Sequence, residues 1–206
     1  TGADAGAMQV NSVTFSPMAL SKRTSTSWFC HYAQMPTLLA KAHHMLGIPL
    51  DRMEEPQIVR YRTGEEFTWH YDQVPQQQLE NGGQRLATLL VYLNGVERGG
   101  GTIFRDLKTN TSTSSSSSGG GSGSEEEEQL TVKPRLGSAL MFFPAFRDGR
   151  PDDRTLHKGE VALDEKWITQ IWIHERRYEP VVPPGNSHEA AHDAVHQEEQ
   201  RLGYSN

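Results

Sequence analysis

The segment Tyr61-Arg-Thr-Gly-Glu-Glu-Phe-Thr-Trp-His70-Tyr-Asp72 sets an imidazole and a carboxylate two residues apart in a β-patterned stretch. In a strand, residues i and i+2 leave from the same face, so His70 and Asp72 can close on one cation. A second histidine from elsewhere would complete a two-histidine, one-carboxylate set, which suits ferrous iron and leaves positions open for substrate and oxygen. His157 is the candidate. With nine histidines in 206 residues an H-x-D match arises easily by chance, so the tripeptide needs its context.

That context lies downstream. Thr155-Leu-His157 is followed by Lys166-Trp-Ile-Thr-Gln-Ile-Trp-Ile-His174, a strand pattern with Lys166, Ile168, Gln170, Trp172 and His174 on one face. A lysine on a core-facing strand is costly unless an anion pairs with it, so Lys166 suggests a bound carboxylate.

Four stretches, in this order and spacing, carry a resemblance: Tyr61-x-x-Gly-Glu-x-Phe-x-x-His70-x-Asp72; Gln84-Arg-Leu-Ala-Thr-Leu-Leu-Val-Tyr-Leu with Val96-Glu-Arg-Gly-Gly-Gly-Thr-Ile-Phe104; Pro134-Arg-Leu-Gly-Ser-Ala-Leu-Met-Phe-Phe143; and His157 through Glu175. The chain resembles the prolyl 4-hydroxylases of the iron(II)/2-oxoglutarate dioxygenase family over most of residues 21–178. The resemblance implies Fe(II) on His70, Asp72 and His157, and 2-oxoglutarate held at its far carboxylate by Lys166 with help from Tyr61 and Thr102. It also implies O2 as the second cosubstrate, ascorbate as reductant, and a proline-rich peptide or protein hydroxylated at proline C4, with succinate and carbon dioxide released.

Peptide contacts implied in the same way are Arg23, Ser25, Phe67, Arg85, Trp172 and His174, with Phe67 standing where the family usually has tyrosine. The residues themselves leave other readings open. Arg23 and Ser25 also fit a solvated loop, Arg85 a strand-end surface charge, and Tyr61 a core tyrosine bonded to a backbone carbonyl. Retention of Asp72 weighs against a halogenase. The alternatives are another oxygenase of this family acting on lysine, a nucleobase or a small molecule, and a catalytically silent peptide-binding module. The resemblance places the chain in the endoplasmic reticulum or secretory pathway, with the cytoplasm as the other option.

A net charge of −6 and a pI near 5.8 argue against a nucleic-acid binder built on a broad basic face. The single cysteine, Cys30, excludes an intrachain disulfide framework and a cysteine-based zinc site. No stretch approaches the ~18 consecutive apolar residues of a membrane helix, and no signal peptide is visible, so the chain reads as soluble.

Elements that must position these residues follow from the pattern. Residues 1–11 read as a flexible tail and 12–179 as one oxygenase domain. Pro36 opens a helix with Leu38, Leu39, Ala42, Met45 and Leu46 at helical spacing, stopped by Gly47 and Pro49. His43 and His44 on it read as packing or surface residues. Residues 57–62 alternate as a strand, and 86–93 form an apolar run suited to a central strand buried on both faces. Residues 108–129, with Ser114 to Ser118 and Glu125 to Glu128, read as a disordered insertion, because such a composition buries too little apolar area to offset its ordering entropy. Asn110-Thr-Ser112 within it is a glycosylation sequon. Residues 136–143 resume the sheet, and 144–155 form a polar loop that delivers His157. Residues 180–206 read as a polar extension whose helix, opened by Asn186 and Glu189 and ended by Gly203, carries His188, His192 and His196 on a solvated face. Pattern and resemblance together imply a mainly β (α+β) fold, a double-stranded β-helix or jelly roll with supporting helices.

Overall fold

A computed structural model describes residues 8–9, 23–109, 128–180 and 187–204. Ten strands and two α-helices make up these residues. They are β1 (Met8–Gln9), β2 (Thr26–Phe29), α1 (Pro36–Leu46), β3 (Gln57–Tyr61), β4 (Phe67–His70), β5 (Arg85–Tyr92), β6 (Thr102–Thr109), β7 (Glu128–Val132), β8 (Ala139–Phe142), β9 (His157–Gly159), β10 (Lys166–His174) and α2 (His188–Leu202). A major sheet runs β1-β2-β3-β10-β5-β8 and a minor sheet β4-β9-β6-β7, with every pairing antiparallel. Two facing antiparallel sheets with crossovers between them are the expected jelly roll.

Alternation along β5 and β10 explains why both strands are apolar on two sides. Ala87, Leu89, Ile171 and Ile173 face α1 and α2, where they pack with Leu39, Ala40, Ala42, Met53, Ala191 and Val195. Leu90, Tyr92 and Ile168 face the minor sheet, in a second core with Val59, Tyr61 and Ala162. Each large apolar side chain buried in this way contributes roughly 1.5–3 kcal/mol. Helix α1 begins at Pro36 and ends at Gly47, as its sequence predicts.

Four expectations are revised. Met8 and Gln9, assigned to a tail, pair with Phe29 and Trp28 on the edge of the major sheet. Lys108, Thr109, Glu128 and Gln129 belong to β6 and β7 rather than to the insertion, since Lys108 pairs with Gln129 and Thr109 with Glu128. A polar strand on an exposed edge carries no apolar run, which is why composition alone assigned these four to disorder. Residues 110–127, with the sequon, lie outside the described residues.

The C-terminal helix is a supporting element and not a solvated appendage. Its N-cap is Ser187, whose hydroxyl accepts from Ala190 N–H at 3.1 Å; Asn186 lies outside the described residues. Ala191 and Val195 are buried against the α1 side of the sheet. His188 is buried as well: its Nε2 bonds the Tyr178 carbonyl at 2.6 Å and its ring stacks on Tyr32 at 5.3 Å. His192 and His196 are exposed, as expected.

Candidate active site

Strand β4 ends at His70, which is the register partner of His157 on β9. Asp72 lies two residues past that strand end, and its Oδ1 is 3.8 Å from His70 Nε2 and 3.9 Å from His157 Nε2. One donor atom from each of the three side chains lies within 4.8 Å of the others, and among the described residues no other group of histidine, cysteine or carboxylate side chains does this.

Each ring is fixed from behind. His70 Nδ1 donates to the Thr68 carbonyl at 2.7 Å and His157 Nδ1 to the Thr155 carbonyl at 3.0 Å, so each Nε2 lone pair is directed at the shared point. Burial first, and then the nearby His157, hold the His70 imidazole well below its ordinary pKa, at about 3, which keeps it neutral. Burial pushes the Asp72 carboxyl up, but His157, His70, a Thr88 hydrogen bond and Arg85 outweigh it and keep the carboxylate ionised. Thr88 Oγ1 donates to Asp72 Oδ2 at 2.7 Å, leaving Oδ1 for a cation. Two imidazoles and one carboxylate with fixed outer bonds suit Fe(II).

Lys166, 1 % exposed, is the register partner of Tyr61 on β3, and its Nζ sits 4.1 Å from the Tyr61 ring centroid. It forms no ion pair among the described residues; its Nζ donates to the Gly100 carbonyl at 2.8 Å. Burial, opposed by Glu160, lowers its pKa to about 8. Across from it a Cβ on Gly159 would lie 3.3 Å from Tyr61 Oη and 3.7 Å from Lys166 Nζ, so the glycine leaves the space beside both groups open. Tyr61 is buried in the second core, and its Oη makes no hydrogen bond to a backbone carbonyl among the described residues. Thr102, the register partner of Gly159, bonds Tyr92 Oη at 2.9 Å. A buried ammonium with no anion, facing a phenol across a glycine, fits a carboxylate ligand such as that of 2-oxoglutarate.

Beside His70 and Asp72 lies a groove of about 470 Å³, whose walls also include Arg23, Phe67, Arg85, Trp172 and His174; His157 is not among its lining residues. Ser25 is not among its lining residues; its hydroxyl accepts from Arg23 Nε at 2.9 Å and so orients that arginine. The Arg23 guanidinium lies 4.7 Å over the Phe67 ring, which stacks on His70 at 3.5 Å and 13°. Arg85 lies 4.0 Å over the Trp172 ring, and the buried Trp172 Nε1–H has no hydrogen-bond partner among the described residues.

Sequence reasoning missed Glu54 and Thr88. Glu54 takes both arms of Arg85, at 2.6 and 2.9 Å, and meets His174 Nε2 at 2.5 Å, so one buried carboxylate orients two groove residues. It lies between elements, where no periodicity marks it. Thr88 was signalled only as the one threonine inside an apolar strand run.

The model of the 2OG-Fe(II) oxygenase superfamily matches residues 56–174. The chain is 32 % identical over 170 residues to probable prolyl 4-hydroxylase 4 of Arabidopsis thaliana, covering 80 % of this chain and 57 % of that protein. It is 38 % identical over 133 residues to probable prolyl 4-hydroxylase 3 of the same plant, covering 64 % and 46 %. It thus spans about half the length of these curated relatives. Among solved structures it is similar to a viral collagen prolyl hydroxylase from Paramecium Bursaria Chlorella virus-1 in complex with 2OG, with a TM-score of 0.53, 25 % identity and coverage of 74 % of this chain and 79 % of that one. Every side chain assigned above to iron and to the cosubstrate carboxylate falls inside the matched span, and the chain belongs to the 2OG-Fe(II) oxygenase superfamily.

Proposed function

We propose that the chain hydroxylates C4 of proline in an extended, proline-rich peptide, giving 4-hydroxyproline. The observation that carries this reading is the groove wall over His70 and Asp72, where the indole of Trp172, held under the Arg85 guanidinium, is one of the lining side chains. A pyrrolidine ring packs on an aromatic wall of this kind. Polyproline segments arrive already extended, which lowers the ordering cost of binding in a groove.

In this reading His70, Asp72 and His157 hold Fe(II), while Lys166, Tyr61 and Thr102 hold the far carboxylate of 2-oxoglutarate. Together the bound metal and cosubstrate supply activated oxygen, one atom of O2 entering the substrate and the other succinate as carbon dioxide leaves, with ascorbate restoring the ferrous state. The chain's own residues do the rest. Thr88 keeps Asp72 Oδ1 turned toward the cation, and the Thr68 and Thr155 carbonyls hold the Nδ1 side of each ring so that both Nε2 atoms point the same way. Glu54 sets the directions of Arg85 and His174 toward the peptide. Phe67 packs His70 from the side and closes that flank to water.

The test is incubation with Fe(II), 2-oxoglutarate, ascorbate and proline-rich peptides, followed by mass spectrometry. The expected result is a gain of about 16 Da per modified proline, one added oxygen. Trp172→Ala should suppress peptide oxidation while leaving slow peptide-independent loss of 2-oxoglutarate. Oxidation of lysine peptides, nucleobases or free small molecules, with proline peptides ignored, would overturn the prolyl assignment.

A further inference from the structure

The turn formed by Gly99, Gly100 and Gly101 is laced to the segment between β9 and β10. Gly100 N–H donates to the Val161 carbonyl at 3.0 Å, Glu160 N–H to the Gly101 carbonyl at 2.8 Å, and Arg98 pairs with Asp164 at 2.6 Å on the rim. Two further bonds fall on a single peptide group. Its carbonyl, of Gly100, accepts from Lys166 Nζ at 2.8 Å, and its N–H, of Gly101, donates to Glu160 Oε2 at 3.1 Å. A carboxylate and a buried ammonium therefore hold opposite ends of one peptide plane.

Glycine is required for this arrangement. Gly100 has φ +71°, and a Cβ there would lie 3.3 Å from Lys166 Cδ; a Cβ on Gly101 would lie 3.0 Å from Thr131 Cγ2 and 3.1 Å from Glu160 Oε2. The lysine stem thus runs against bare backbone, and the ammonium has one of its three hydrogens committed to Gly100. The other two remain for a ligand on the Tyr61 and Gly159 side.

We propose that Glu160 is a positioning residue for the cosubstrate carboxylate, acting on Lys166 through the Gly100–Gly101 peptide group. The proposal rests on the reading that Lys166 anchors 2-oxoglutarate. Accepting from the N–H end polarises the peptide and strengthens its carbonyl as an acceptor, and it fixes the plane so that the carbonyl cannot swing away from Nζ. The charged or titratable groups facing Lys166 are Tyr61 on β3, Glu160 after β9, and Arg23, whose charge opposes that of Glu160. Glu160 supplies negative charge that favours the protonated ammonium against the burial that disfavours it.

The test is calorimetric titration of the Mn(II)-loaded protein with 2-oxoglutarate across pH 6 to 10, which reads binding without turnover. Glu160→Ala should weaken binding about 10-fold at pH 7, the scale of one charge-assisted hydrogen bond. Glu160→Gln keeps an oxygen for the Gly101 N–H and should recover most of that loss, while the pH above which affinity falls moves lower than in the native chain. Affinity for the peptide should stay unchanged in both. If Glu160→Ala fails to fold, the lower pH midpoint of Glu160→Gln decides alone. Native affinity and an unshifted midpoint in the Glu160 variants, with binding lost in Lys166→Ala, would overturn the role of Glu160 only. Native affinity in Lys166→Ala would instead overturn the reading of Lys166.

Discussion

His157 lies opposite His70 on adjacent antiparallel strands, and the Nε2 atoms of both come within 3.9 Å of one oxygen, Asp72 Oδ1. That register is what brings a candidate metal-binding set together from residues far apart in the chain. A one-residue slip of β9 would turn His157 to the other face of the minor sheet.

Thr88 holds the remaining Asp72 oxygen at 2.7 Å, so its hydroxyl bears on the metal without touching it. Thr88→Val should lower Fe(II) affinity about 10–100-fold, the usual range for an outer partner of a metal ligand, while Thr88→Ser retains native affinity. Metal titration followed by competition with a chelator checks this. Equal affinity in Val and native chains would show that Asp72 is oriented by other contacts.

Glu54 is the counter-charge for Arg85, and burial of the pair makes its loss felt in two ways. Burial would raise the Glu54 pKa, but the charge and hydrogen bonds of Arg85 and His174 outweigh it and hold the carboxyl below the usual range. Among the described residues Glu54→Ala removes the one ion-pair partner of the Arg85 guanidinium, which is 23 % exposed, and should cost on the order of 3 kcal/mol. A fall of about 10 °C in Tm is expected for a chain of this size. The Michaelis constant for peptide should rise more than that for 2-oxoglutarate. A variant with native Tm would refute the assignment.

On the proposed reading, Lys166 should set the pH range of 2-oxoglutarate binding. Burial lowers its pKa to about 8 in the free site, and a bound carboxylate favours the protonated form. Binding is therefore at full strength below pH 8 and weakens as pH rises through that value, when a proton must be taken up with the ligand. Affinity should fall by about tenfold per pH unit above the midpoint until the pKa of the complex is reached. Lys166→Ala should raise the Michaelis constant for 2-oxoglutarate far more than that for peptide and should flatten this profile. Flat affinity between pH 7 and 9.5 in the native chain would contradict it.

Thr109 and Glu128 are register partners at the ends of β6 and β7, so the two ends of residues 110–127 already stand side by side. Replacing 110–127 by a four-residue turn should keep Tm and peptide oxidation within about twofold of native, since closing a loop costs little more or less as its length changes. A collapse of peptide oxidation with cosubstrate binding intact would show that the segment takes part in substrate capture.

Local pattern determined much of this protein. His70 and Asp72 share an H-x-D spacing, Lys166 opens a strand of period two, and Pro36 and Gly47 bracket a helix, and all are features that neighbouring residues impose on one another. The polar strand ends at Lys108 and Glu128 were invisible for the complementary reason, since they carry no apolar run and are held by pairing with each other. His188 and Ser187 show the same limit at the C-terminus: helical spacing located the helix, but only its docking against Tyr32 and Tyr178 buried one histidine and exposed the other two. Glu54 carries no periodic mark, and Gly100 and Gly101 act through backbone atoms that every residue possesses. What the tertiary structure alone decided is which distant groups meet: His157 with His70, Glu54 with Arg85 and His174, and one peptide plane with both Glu160 and Lys166. Such meetings depend on strand register and crossover, which arise from the burial of two cores at once and not from the order of residues within any one element.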